Sequence, residues 1–123
     1  MEPHQILLTS TILMAITALG GIVMALIRFG GKPAPPSWLA MLHGLLAAAG
    51  LTLLAYACAT MAVPGFAWWA LLLFLAAAVG GVVLNFHFHL KQIPLPIWLV
   101  LVHAVVAVLA FVCLALAAFG RGG

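Results

Sequence analysis

The stretch Trp38–Ala62 reads WLAMLHGLLAAAGLTLLAYACATMA, a run without Lys, Arg, Asp or Glu that is long enough to cross a bilayer. A hydrocarbon core about 30 Å thick is spanned by roughly 20 apolar residues in a helix. Similar stretches lie on either side, so spans are expected at about Gln5–Ile27, Trp38–Ala62, Phe66–Leu90 and Leu95–Phe119. The turns between them, Arg28–Ser37, Val63–Gly65 and Lys91–Pro94, are each rich in Pro, Gly or base, as chain reversals require. With 68% hydrophobic and 4% charged residues, the 123-residue chain lacks the charged surface of a soluble domain. The expected class is therefore all-α: an integral membrane four-helix bundle in which residues 1–123 form a single transmembrane domain.

Charge placement sets the expected orientation. Arg28, Lys32 and Lys91 flank the first and third turns, whereas Arg121 marks the other side. Basic residues collect on the cytoplasmic side, so both termini are expected to be extracytoplasmic, in a bacterial inner membrane. Glu2 and His4 precede a full-length first span, which is unlike the basic region and short apolar core of a cleaved signal. Four bases spread over the ends of spans form no nucleic-acid-binding patch. Cys58 and Cys113 read as small apolar fillers, and no Cys-x-x-Cys-His exists for covalent haem attachment.

Displacing the chain against itself by 60 positions reveals an internal correspondence. Gly20-Gly21 falls on Gly80-Gly81, and Pro36-x-Trp38-Leu39-x-x-x-His43 falls on Pro96-x-Trp98-Leu99-x-x-x-His103. Leu and Ala coincidences carry little weight in such a composition, but Pro, Trp, His and paired Gly are rare enough to count. The expected unit is one helical hairpin, with copies at about 5–60 and 65–120. An even number of spans per unit makes the copies parallel, related by an axis along the membrane normal. Pro suits a first helical turn, and Trp38 and Trp98 suit the headgroup interface.

His43 and His103 are then the informative residues. An ionisable side chain inside a membrane faces protein, water or ligand and is a functional candidate by default. Both lie about two turns into their helices, roughly 10 Å from the cytoplasmic ends. Ala47 and Gly50 follow His43 on its face, and Ala107 and Ala110 follow His103. Gly20, Gly21, Gly80 and Gly81 fall at the same level of helices 1 and 3. Two imidazoles among absent side chains describe a slot for a flat ligand, and haem b with two axial histidines fits it. Arg28, Lys32 and Lys91 lie toward the end where propionates would need partners. The glycines alternatively serve close helix packing, and the histidines interhelical hydrogen bonding. Zinc is disfavoured, since a closed site wants four ligands, and copper is similarly short of them. His87 and His89 have no counterparts in the first unit. Being two apart they point to different sides, and one of them, His87 being the candidate, could meet a haem propionate or a quinone carbonyl. His4 is expected in a tail at the opposite end.

With Trp38-x-x-x-x-His43 and Trp98-x-x-x-x-His103 placed symmetrically in four spans, the chain resembles the membrane-embedded bis-histidine cytochromes b. That resemblance covers the architecture and not a subfamily signature. It implies a membrane electron-transfer protein binding one b-type haem, with His43 and His103 as iron ligands and Arg28 and Lys91 as propionate partners. It also implies exchange of electrons with quinone or the subunits of a membrane redox complex. Dihaem members need ligands at two depths, and this chain has one deep level. The rival expectation is a small non-catalytic accessory or scaffold subunit. A proton-coupled multidrug exporter is disfavoured, because Glu2 is the sole carboxylate side chain and sits at a terminus. Simple electron transfer and quinone reduction are not separable at this level, since the haem supplies the redox chemistry in both.

Overall fold

The computed structural model describes residues 2–120; Arg121, used above for orientation, lies outside them. Among the described residues the regular structure is all helical, without strands: α1 is Pro3–Phe29, α2 Ser37–Thr60, α3 Gly65–Val82, continued by a π-helical segment Val83–His89, and α4 is Ile97–Phe119. All four spans are long and apolar enough to cross a membrane. Leu19, Leu45, Val79 and Val108, each more than 60% exposed, represent the outward face, where lipid takes the place of a second protein layer.

Proline sets three of the four helix starts. Pro36, Pro64 and Pro96 are the N-caps of α2, α3 and α4, where a missing N–H costs nothing because the first turn has no acceptor for it. Their carbonyls still accept, as in Ala40 N–H to Pro36 O and Val100 N–H to Pro96 O, both 3.1–3.2 Å. Trp38 and Trp98, two residues further, are 68% and 66% exposed, as interfacial anchors would be. At the other end of the chain, His4 lies in the first turn of α1 and not in a tail, because Pro3 opens the helix earlier than hydropathy alone indicates. It is exposed and remote from His43.

Packing is uneven along the bundle axis. Ile6, Leu7, Leu54, Ala57, Ala67, Ala70, Leu114 and Ala117 form one cluster at the end holding the termini and the α2–α3 turn. Ala57, Ala67, Ala70 and Ala110 are fully buried, so small side chains bring the helices close, as membrane packing favours. Ser10 belongs to the same arrangement: its hydroxyl donates to Gly50 O at 2.8 Å, and Met14 fills the space left by the missing Gly50 side chain. The closest helix pairings are α1 with α2 and α3 with α4, while α1–α4 and α2–α3 contacts are sparser. At the basic end the two long loops bond to one another. Arg28 Nε donates to Leu95 O at 2.8 Å, Arg28 also reaches Lys32 O at 3.3 Å, and Leu95 N–H donates to Pro33 O at 3.1 Å.

The π segment was not foreseen. Its wider turn shows in Leu90 N–H to Asn85 O at 2.8 Å, a bond across five residues. The segment then ends in a Schellman pattern: Ile93 N–H reaches Phe88 O and Gln92 N–H reaches His89 O. Gln92 adopts φ 56° to do so, the one non-glycine at positive φ among the described residues. Glycine occupies that region without the Cβ penalty. Gln92→Gly is therefore expected to stabilise the protein by about 1 kcal/mol, read as a higher midpoint of thermal unfolding in detergent.

Candidate functional site

The site begins with two backbone carbonyls. His43 Nδ1 lies 2.9 Å from Thr17 O, and His103 Nδ1 lies 2.8 Å from Ala77 O. A carbonyl only accepts, so Nδ1 carries the proton in each ring and Nε2 keeps its lone pair. Both bonds join α-helical partners within one hairpin, and both span 26 positions.

The glycine pairs explain how these bonds form. A helical side chain tilts toward the N-terminus and covers the turn before it, so residues three and four beyond Thr17 or Ala77 would screen those carbonyls. They are Gly20 and Gly21 in α1, and Gly80 and Gly81 in α3. A Cβ on Gly21 would stand 3.0 Å from His43 Cε1, and one on Gly81 would stand 3.3 Å from His103 Cε1. A Cβ on Gly80 would meet His103 Nδ1 at 3.5 Å, and one on Gly20 would meet His43 Nδ1 at 4.0 Å. The glycines therefore seat the imidazoles directly, which combines the packing role with the site role.

The two rings approach each other across the bundle. Their centroids are 6.4 Å apart and their planes are inclined by 69°. Nitrogen ligands bind such metals at about 2 Å, so two imidazoles on opposite sides of one iron would have ring centres about 6 Å apart. The centroid spacing and the tautomers are compatible with two histidines that would hold one haem iron through Nε2. Nδ1–H bonded to a carbonyl is also the usual support of a metal-bound histidine, since it fixes the ring and raises its basicity. Among the described residues no group of three or more His, Cys, Asp or Glu side chains gathers to hold a metal ion.

Both histidines line a cavity of about 390 Å³ that runs from them toward the basic loops, within the usual range for ligand sites. From α1 it takes Gly21, Met24 and Arg28; from α2, Ala40, Gly44 and Ala47; from α4, Val100. The α3 side contributes Gly81 and Val82, then Asn85, Phe86 and His89 from the π segment. The walls are apolar, and Arg28, Asn85 and His89 supply polar groups at the loop end.

Of the residues singled out by sequence, the structure brings together His43, His103, Gly21, Gly81, Ala47 and Arg28 on this cavity. Gly20 and Gly80 lie behind the rings. Ala107, Lys91 and His87 are not in the lining. Lys91 and His87 are exposed, and His87 instead meets the Phe88 ring edge-on at 4.7 Å between centroids. His89 takes the inward place, since it lies three and four residues beyond Phe86 and Asn85 on the face that lines the cavity. Asn85 and the two accepting carbonyls escaped sequence reasoning. A carbonyl leaves no trace in residue type, and Thr17 and Ala77 differ in side chain; the glycine four residues beyond each was the available signal.

No family model, no curated protein and no solved structure matches this chain.

Proposed function

We propose that the chain is a small membrane electron-transfer protein that holds one b-type haem between His43 and His103. The single observation that carries this reading is the pair of imidazoles, each pinned through Nδ1 to a backbone carbonyl, with centroids 6.4 Å apart. When bound, the haem supplies one-electron redox chemistry, tuned by axial ligands, hydrogen bonding and burial. The protein's own share is orientation and exclusion of water. Thr17 O and Ala77 O hold the rings, Gly21 and Gly81 give them room, and apolar residues of α2 and α3 line the space beside them. Arg28 is the cation placed to meet a propionate, since it lines the cavity while fastened to Leu95 O.

In this reading the two hairpins are copies of one parallel unit, and duplication turns one intramembrane histidine into a facing pair. The loops bearing Arg28, Lys32 and Lys91 face the cytoplasm of a bacterial inner membrane, with both termini outside. Electrons pass to or from a quinone or the subunits of a membrane redox complex.

An optical spectrum of the purified chain, oxidised and then reduced, tests the reading. A Soret band with the sharpened visible bands of a low-spin reduced b-type haem is expected. A colourless protein that purifies only with partner subunits would instead favour an accessory role.

A further inference from the structure

The cavity is closed on every side but one. Toward the termini it meets the packed core, where Leu54 and Leu114 are fully buried. Toward the basic loops it is capped by buried Pro35 and Leu95, the latter bonded to Arg28 and Pro33. The α1–α2 and α3–α4 flanks are the tightest helix pairings of the bundle. Of the two remaining flanks, the α1–α4 side contributes no exposed residue to the lining, and the α2–α3 side has the sparsest mutual contacts of the adjacent pairs.

The exposed residues of the lining lie on that flank alone. They are Gly44 and Ala48 on α2, and Ala78, Val82 and Phe86 on the α3 side. Steps of four place each set along one helix edge, so two parallel lips face each other. Val82 is 54% and Phe86 59% exposed, and a Cβ added at Gly44 would meet nothing within 4 Å. These lips lie within the membrane-crossing spans, so the opening faces lipid and not water.

We infer that the cavity is loaded sideways from the bilayer, through a portal between α2 and α3 bounded by Gly44 and Ala48 on one lip and Val82 and Phe86 on the other. The occupant is the haem of the function proposed above, on which this inference rests: a flat, largely apolar molecule that dissolves in the hydrocarbon region and slides edge-on between the lips to reach both rings. Gly44 leaves the lower wall of the gap bare at the level of the histidines, one position beyond His43. The π segment carries the end of the other lip, with Phe86 exposed at the rim and Asn85 and His89 further inside the lining. A portal within the hydrocarbon also spares the propionate-facing loop end from having to open.

The test uses the full chain, freed of haem and held in phosphatidylcholine nanodiscs, with haemin presented in phosphatidylcholine vesicles and uptake followed by the growth of its Soret band. Gly44→Phe narrows the portal from one lip and Val82→Trp from the other. Each is expected to slow uptake and release alike by about tenfold, since an obstruction raises the barrier in both directions. Uptake at the rate of the unaltered protein in both variants overturns the portal, and so does faster release with unchanged uptake, which would make these residues mere walls. An unaltered protein that acquires no bis-histidine spectrum overturns the haem reading and this inference with it, whereas a normal final spectrum reached at unaltered rates by the variants overturns the inference alone.

Discussion

His43→Ala and His103→Ala should each abolish the low-spin spectrum of the bound haem, and the double variant should carry no haem at all. Each ring offers one nitrogen to a carbonyl and keeps the other free, so losing either ring removes an axial ligand outright. A single variant retains one ligand and should shift toward a high-spin, five-coordinate spectrum with weaker retention. An unchanged spectrum in the double variant would sink the assignment. The alternative role, hydrogen bonding between helices, is already present in the two Nδ1–H bonds, and it separates from ligation by a gentler change. His43→Asn and His103→Asn keep a short side-chain N–H donor for Thr17 O or Ala77 O but have no imidazole nitrogen for iron. Recovery of thermal stability with Asn, without recovery of the spectrum, is the expected combination. Recovery of both would mean that the imidazoles serve the helices only.

The second large effect lies at the glycines. Gly21→Leu and Gly81→Leu should expel the haem by displacing the rings from their seats. A Cβ at Gly21 already stands at 3.0 Å from His43 Cε1, against 3.3 Å for Gly81 and His103. Even alanine should therefore perturb the first site more than the second. Overfilling a packed position costs about 1–3 kcal/mol, and here the ring gives way first, because its bond to the bared carbonyl is what the side chain screens. Haem content per protein and the thermal midpoint are the paired readouts. Full haem content with loss of assembly would assign these glycines to helix packing instead.

Much of this arrangement was readable from residues, for identifiable reasons. Runs such as Trp38–Ala62 leave a helix as the one local solution in lipid. His43 and His103 announced themselves as rare polar residues at matching places, and Gly20-Gly21 and Gly80-Gly81 as paired gaps beside them. What stayed hidden depended on pitch and on backbone. Asn85-Phe86-His87-Phe88-His89 is compatible with either an α or a π turn, and nothing in its residue types announces the π turn that forms. The corresponding stretch of α1, Val23–Phe29, remains α-helical, so the matching positions gave no warning. Arg28 reads from the sequence as a propionate partner, and the structure adds a bond from its Nε to Leu95 O. That bond links loops far apart in sequence, which spacing alone does not predict.

The clasp between those loops has a mechanical side. The hairpins are joined covalently through the short turn at the packed end, and at the basic end by Arg28 to Leu95 O and Leu95 N–H to Pro33 O. A joint at one end and a catch at the other make a pair of tongs. Each catch bond is worth on the order of 1 kcal/mol net, added to the packing between the hairpins. The jaws of those tongs are α2 and α3, and their reach is greatest where the π segment lies.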